Sequence, residues 1–232
     1  MIAYHPDAVD DGIGNMLRTE LFDSFDLKVR TGLFNAPTLS ERVHNFDQQF
    51  FDECPDNVTL QGYFQTEKYF KHIEDEIRED FTFKDDVLAP CKEMIEDVEN
   101  PVALHVRRTD YVTNSANHPP CTLDYYREAL SHFEVHRNVI VFSDDPAWCN
   151  EQELFSGEHF MISENDDNRV DLCLMSLCDD FIIANSTYSW WGAWLSTNKD
   201  KKVIAPKQWF GTQGYTKDHN TEDVIPNEWI RL

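Results

Sequence analysis

Val102-Ala103-Leu104-His105-Val106-Arg107-Arg108-Thr109-Asp110-Tyr111 is the stretch whose reading decides the fold. A short apolar run rich in branched residues, preceded by Asn100-Pro101 and followed by a charged cluster, reads as a buried strand of a parallel sheet over 102–106. Ligands of open α/β sheets collect outside the carboxyl ends of such strands, so the charged cluster stands where a site is expected. Two tandem guanidiniums suit an oxygen-rich anion, because each forms bidentate forks and keeps its charge. Adjacent side chains of an extended chain point to opposite faces. One arginine is therefore expected to meet a ligand and the other to brace a neighbouring loop.

The pattern downstream repeats. A helix opening at Thr122 carries Leu123, Tyr126, Leu130 and Phe133 as an apolar stripe. Val139-Ile140-Val141-Phe142 is a second strand ending in Ser143-Asp144-Asp145-Pro146, and a helix over 170–178 follows an acidic loop. Phe181-Ile182-Ile183-Ala184 is a third strand, ending in Asn185-Ser186-Thr187-Tyr188-Ser189 before a helix that includes Trp190 to Leu195; Val203-Ile204-Ala205 is a fourth. Four strands alternating with helices imply a parallel, right-handed βαβ sheet. Arginines, paired aspartates, then Asn and hydroxyls at a helix start lie at successive strand ends, the layout of a nucleotide site, since amides and hydroxyls at a helix N-terminus suit phosphate oxygens. On its own, Asp144-Asp145-Pro146 reads as a helix cap or turn, and Trp190, Trp191 and Trp194 read as core.

Upstream the pattern is less regular. Val58 to Phe64 reads as a strand, and Thr66 is placed to cap a helix with Tyr69, Phe70, Ile73 and Ile77 on one face. Asp80 to Asn100 reads as an acidic, irregular boundary containing Pro90, with Lys92 to Val98 a candidate helix. Gly12-Ile13-Gly14-Asn15 reads as a turn and Met16 to Phe22 as a short helix. The expected division is an N-terminal domain over 1–95 and a Rossmann-like domain over 96–232.

A formal charge of −23, from 43 acidic against 20 basic residues, argues against nucleic acid or an anionic membrane as partner. An anionic substrate would then need a local basic site, which singles out Arg107-Arg108. The six cysteines lack CxxC or zinc-type spacing, so reduced thiols and no metal site are expected. The opening residues do not resemble a signal peptide, and the apolar runs are shorter than the roughly 20 residues that span a bilayer. A cytoplasmic protein is the expectation; oligomeric state is not readable.

Four segments together carry a resemblance: Leu60-Gln61-Gly62-Tyr63-Phe64-Gln65-Thr66-Glu67-Lys68-Tyr69-Phe70, His105 to Tyr111, Phe142-Ser143-Asp144-Asp145-Pro146 with Trp148-Cys149, and Ala184-Asn185-Ser186-Thr187-Tyr188-Ser189-Trp190-Trp191-Gly192-Ala193-Trp194-Leu195. In this order and spacing they resemble the α-1,2-fucosyltransferases, glycosyltransferase family 11, and more distantly the α-1,6- and protein O-fucosyltransferases. The resemblance implies a GT-B-like α/β fold, GDP-fucose as donor, a galactose-containing glycan as acceptor, and inversion without an obligatory metal or other cofactor. It implies that Arg107 binds the diphosphate, that His105 and one of Asp144 or Asp145 contact guanosine, and that Ser186 and Ser189 reach the diphosphate, with Arg108 and Asn185 completing the donor-side candidates. Asp110 is the carboxylate nearest the arginines and the candidate general base, with orientation of an arginine as its other reading; His118 is a second candidate. The family's glycine-rich first loop and long first domain are compressed here, so a shortened N-terminal region is expected. The competing readings are a transferase using another GDP-sugar, a non-catalytic GDP-sugar or glycan binding protein, and a structural domain.

Overall fold

The computed structural model describes residues 3–4, 20–27, 30–31 and 36–232. The Gly12-Ile13-Gly14-Asn15 turn lies outside them, as does most of the expected helix before Phe22. A two-stranded parallel pair joins β1 (Ala3–Tyr4) to β2 (Arg30–Thr31), with helix α1 (Glu20–Ser24) between them. A second joins β3 (Thr38–Ser40) to β4 (Thr59–Gln61) around α2 (Gln48–Glu53).

The main sheet has six parallel strands: β5 (Val102–Val106), β6 (Val139–Ser143), β7 (Phe160–Ile162), β8 (Asp180–Ile182), β9 (Val203–Ala205) and β10 (Ile230–Arg231). Their spatial order is β10-β9-β8-β5-β6-β7. This is the doubly wound Rossmann order, with its reversal between β5 and β8, so the expected α/β, Rossmann-like sheet is the one the chain adopts. Sequence reading found four of the strands. β7 and β10, three and two residues long, complete the sheet at its two edges.

The period of two along each strand divides the core between the sheet's faces. Val102, Leu104, Val106, Val139, Val141, Ile182 and Ile204 share one cluster with Tyr126 and Ala129 of α6 (Leu123–Leu130). Ala103, Phe142, Phe181, Ile183, Val203 and Ala205 share the other, with α4 (Asp85–Ile95), α8 (Asn168–Ser176) and α9 (Thr187–Leu195). Trp190 and Trp194 belong to this second core, as expected.

Caps set the helix starts. The Thr122 hydroxyl accepts the N–H of Tyr125 at 3.2 Å and the Asp167 carboxylate that of Arg169 at 2.9 Å. Two expectations are corrected. Asp80 to Asn100 is not irregular: Asp85–Ile95 is helical through Pro90, because burial of Val87 and Cys91 offsets the roughly 3 kcal/mol that an interior proline costs. Thr66 caps a 3-10 turn over Glu67–Tyr69, accepting from Lys68 N–H, and the α-helix proper, α3, is Glu74–Asp80.

Candidate active site

The sheet reverses between β5 and β8, so the helices leaving these two strands pack on opposite faces and a crevice opens beyond their carboxyl ends. β5 delivers His105, Arg107 and Arg108 there, and β8 delivers Asn185 and Ser186. A short helix, α5 (Thr109–Thr113), begins directly after the arginines.

Asp144, at the end of β6, organises the arginines. One carboxylate oxygen lies 3.1 Å from the Arg107 guanidinium. The same carboxylate accepts the N–H groups of Arg108 at 2.8 Å and Thr109 at 3.1 Å, and the Thr109 hydroxyl. It thereby serves as the cap that α5, with an arginine at its N-cap, lacks. Asp145 caps its own helix, α7 (Pro146–Asn150), accepting from Trp148 N–H at 3.2 Å.

The two arginines diverge as alternation requires. Arg108 braces the loop after β6, with its Nε 3.2 Å from Asp145 and its guanidinium 3.8 Å above the Trp148 ring. Arg107 faces the crevice, 29% exposed, held between Asp144 and an Asp110 oxygen at 2.6 Å. The Asp110 carboxylate, in the first turn of α5, is 60% exposed. An exposed pair contributes little net energy, so Arg107 can exchange Asp110 for another anion while Asp144, 19% exposed, keeps it aimed.

His105 is buried at 4% exposure, and its backbone carbonyl accepts the Tyr126 hydroxyl at 3.1 Å. Burial lowers its pKa to about 3, with Asp144 pulling up and Arg107 pushing down, so the ring is neutral. Its Nδ1 has no hydrogen-bond partner in the protein. Asn185 is a clamp: its side-chain amide donates to the carbonyls of Pro119 at 3.1 Å and Trp209 at 2.9 Å, and its backbone carbonyl accepts the Tyr111 hydroxyl at 3.0 Å. Ser186 occupies the N-cap of α9 without a side-chain capping bond. Ser189 is fully buried, its hydroxyl facing the carbonyls of Ser186 at 3.3 Å and Ala184 at 3.5 Å.

The 60–70 segment folds over the start of α9. Gly62, Gln65, Thr66 and Phe70 line a cavity of about 330 Å³ with Thr187 and Trp191. Gly62 is required, because a Cβ there would lie 2.4 Å from the Cβ of Glu41, whose carboxylate receives the N–H groups of Tyr63 at 2.8 Å and Phe64 at 3.1 Å. Those bonds hold Phe64 at φ 48°, in the left-handed region.

The sequence model of glycosyl transferase family 11 matches residues 41–232. The chain belongs to that family. Its relatives include the O-antigen biosynthesis glycosyltransferase WbnK of Escherichia coli, 36% identical over 79% of this chain and 65% of that protein. An alpha-1,2-colitosyltransferase of the same species is 35% identical over 76% of this chain and 63% of that protein. The galactoside alpha-(1,2)-fucosyltransferase 1 of Alouatta belzebul is 24% identical over 70% and 50%. The family 11 chain thus spans about two thirds or less of these relatives' length. Among solved structures, POFUT1 in complex with GDP aligns with a TM-score of 0.44 and 14% identity, over 64% of this chain and 54% of that one. The resemblance carried by the four segments is therefore one of family.

Beside this crevice lie residues that sequence reading missed. Thr187 stands inside the 184–195 segment, beside the serines singled out there. His44, His219 and Phe210 belong to irregular segments without periodicity or motif, and only the fold brings them together. Among the described residues no helix is long and apolar enough to cross a membrane.

Proposed function

We propose that the chain is an inverting glycosyltransferase that moves L-fucose from GDP-fucose to a hydroxyl of a glycan, O2 of a galactose in the simplest case. The observation that carries this reading is Arg107 at the switch-point crevice, aimed by the buried side of Asp144 and countered on its open side only by the exposed Asp110. A diphosphate can take the place of Asp110 on the guanidinium fork, with Ser186, Thr187 and the N–H groups at the start of α9 on the facing strand end. Family membership and the fucosyltransferase and colitosyltransferase relatives support the same reading.

In the proposed reaction the acceptor oxygen attacks the anomeric carbon as its bond to the phosphate oxygen breaks, and GDP leaves with the electron pair. Charge grows on the phosphate as that bond lengthens, and a fixed guanidinium aimed at it supplies several kcal/mol, by analogy with oxyanion holes. The acceptor proton passes to a base; Asp110, once displaced from Arg107, is the nearest carboxylate. His105, Asp144 and Asp145 are the proposed guanosine side. This mechanism calls for no metal.

A colitosyltransferase among the relatives favours a second donor, a colitosyl nucleotide, on the same site. Calorimetric titration with GDP and GDP-fucose, with and without EDTA, followed by incubation with lactose, tests the reading. Binding of about micromolar strength that falls at least about tenfold in Arg107→Ala, with fucosylated product from the parent protein, is expected. Unchanged GDP affinity in Arg107→Ala overturns the site, and preference for GDP-colitose in direct competition reassigns the donor.

A further inference from the structure

Three imidazoles surround one phenyl ring beside the Arg107 site. Phe210 lies edge-on to His44 at 5.0 Å, to His118 at 5.4 Å and to His219 at 5.4 Å between ring centroids, while His44 and His219 stack on each other at 4.8 Å. These four residues come from three separate segments of the chain. His44 follows β3, His118 follows α5, and Phe210 and His219 stand in the segment between β9 and β10.

A lock between two backbones holds the cluster together. Gly211 N–H donates to Asn117 carbonyl at 2.7 Å, Gly214 N–H to Ala116 carbonyl at 3.0 Å, and the Thr216 hydroxyl to Asn117 carbonyl at 3.1 Å. That approach places Phe210 and His219 against His118. The cluster in turn touches the arginine site, for His118 stacks on Tyr111 at 5.1 Å and the Arg107 guanidinium lies 5.4 Å from the Tyr111 ring. Ring contacts thus connect Arg107 through Tyr111 to the histidines.

The interior of this cleft offers hydrogen bonds that the protein does not use. His44 Nε2, His118 Nδ1, His219 Nδ1 and Gln65 Oε1 are each buried as atoms and lack a protein partner. Gln65 lies close enough to His44 to favour its charged form, although neither atom closes a bond of normal geometry. Buried polar atoms in native proteins are nearly always paired, so four around one pocket point to a ligand. His44, Gln65, His118 and His219 line a pocket of about 90 Å³, which shares His44, Tyr63 and His219 with an open cleft of about 500 Å³.

The chemistry is that of a neutral, hydroxyl-rich ring. Burial depresses the pKa of His44 and His118, so each offers one donor and one acceptor, as a sugar hydroxyl requires. Two of the three charged side chains at the rim are engaged elsewhere, Glu41 with the amides of Tyr63 and Phe64 and Arg42 with Asp47 at 2.8 Å; Asp218 is the third, an acceptor suited to a sugar hydroxyl. Tyr63 and Tyr215 are exposed aromatics along the walls, suited to the apolar face of a pyranose. No three His, Cys, Asp or Glu side chains among the described residues are placed to hold a metal ion.

We propose that the cleft walled by His44, His118, His219 and Phe210 is the subsite for a neutral pyranose, the sugar that presents its hydroxyl to the donor at Arg107. The assignment of that sugar as acceptor rests on the transferase reading above; its binding does not.

Saturation-transfer NMR with methyl β-D-galactopyranoside and methyl β-D-glucopyranoside, in the presence and absence of GDP, is the test. The parent protein should transfer saturation to the ring protons of at least one probe. The signal should fall about fivefold or more in His44→Ala/His219→Ala, while calorimetric GDP affinity stays within about twofold. Tyr63→Ala, at a side chain already exposed to solvent, should weaken the signal without a risk to folding. No saturation of either probe, or an undiminished signal in the folded variants, overturns the subsite. Absence of GDP binding with pyranose binding intact would instead sink the transferase reading and leave the subsite standing.

Discussion

Asp144 holds Arg107 across a 3.1 Å ion pair while its carboxylate receives the first amides of α5, so one side chain both aims the cation and starts the helix beside it. Asp144→Ala removes the acceptor for the N–H groups of Arg108 and Thr109. Loss of a cap costs about 0.5–2 kcal/mol, and urea unfolding should show a drop of that size, with Asp144→Asn intermediate because it keeps one acceptor oxygen. An unchanged midpoint in Asp144→Ala would mean that water serves those amides equally well.

His105 makes the fold acid-sensitive. Its folded pKa of about 3 lies below the 6.5 of an ordinary histidine, so below pH 6.5 the unfolded chain binds a proton that the folded chain refuses. The stability from keeping this ring neutral is complete above that value and is lost as pH falls toward 3. Between pH 7 and pH 5 the loss from this one group is about 2 kcal/mol, and the lowered pKa values of His44 and His118 act in the same direction. Denaturant titrations at the two pH values should differ accordingly, and His105→Gln should show the smaller difference; equal pH dependence in the two proteins would rule His105 out as the source.

Lys201 works in the alkaline range. Burial, with Arg78 nearby, lowers its pKa to about 8 against the ordinary 10.5, while its Nζ donates to the Ser196 carbonyl at 2.7 Å. Above pH 8 the folded chain sheds this proton before the unfolded one does, so the cost of burying the charge is relieved as pH rises to 10.5. Relative to Lys201→Met, the parent protein should gain stability across that window, about 1 kcal/mol once the partial solvent exposure of the ammonium screens the effect. Parallel stability curves for the two proteins would contradict it.

Gly211 sits where no side chain fits. A Cβ there would lie 1.9 Å from the Ala116 carbonyl oxygen, a backbone atom unable to turn aside. Gly211→Ala should therefore destabilise by about 1–3 kcal/mol and loosen the contact of Phe210 with His118, with GDP affinity little changed because neither donor-side arginine touches that loop. A thermal midpoint equal to the parent's would show that the two loops separate at no cost.

The apolar runs at 102–104, 139–142, 181–184 and 203–205 determined four of the six strands by themselves, because a strand buried on both faces is apolar and period two then assigns each residue to a face. The divergence of Arg107 and Arg108 followed from the same alternation, and four motif segments were specific enough to carry the family. Other features needed the tertiary structure. Pro90 stays inside a helix only because α8 covers Val87 and Cys91. Asp144 is a cap for a helix more than thirty residues earlier, a role invisible to local spacing, and Ser189, one of several polar residues at a strand end, turns inward. The histidine cleft is the extreme case. Its members are isolated in sequence, and they meet because loops closed by Asn117, Asn185 and two glycines bring them together; a ligand site of that kind is a property of long-range contacts, which no local pattern of residues records.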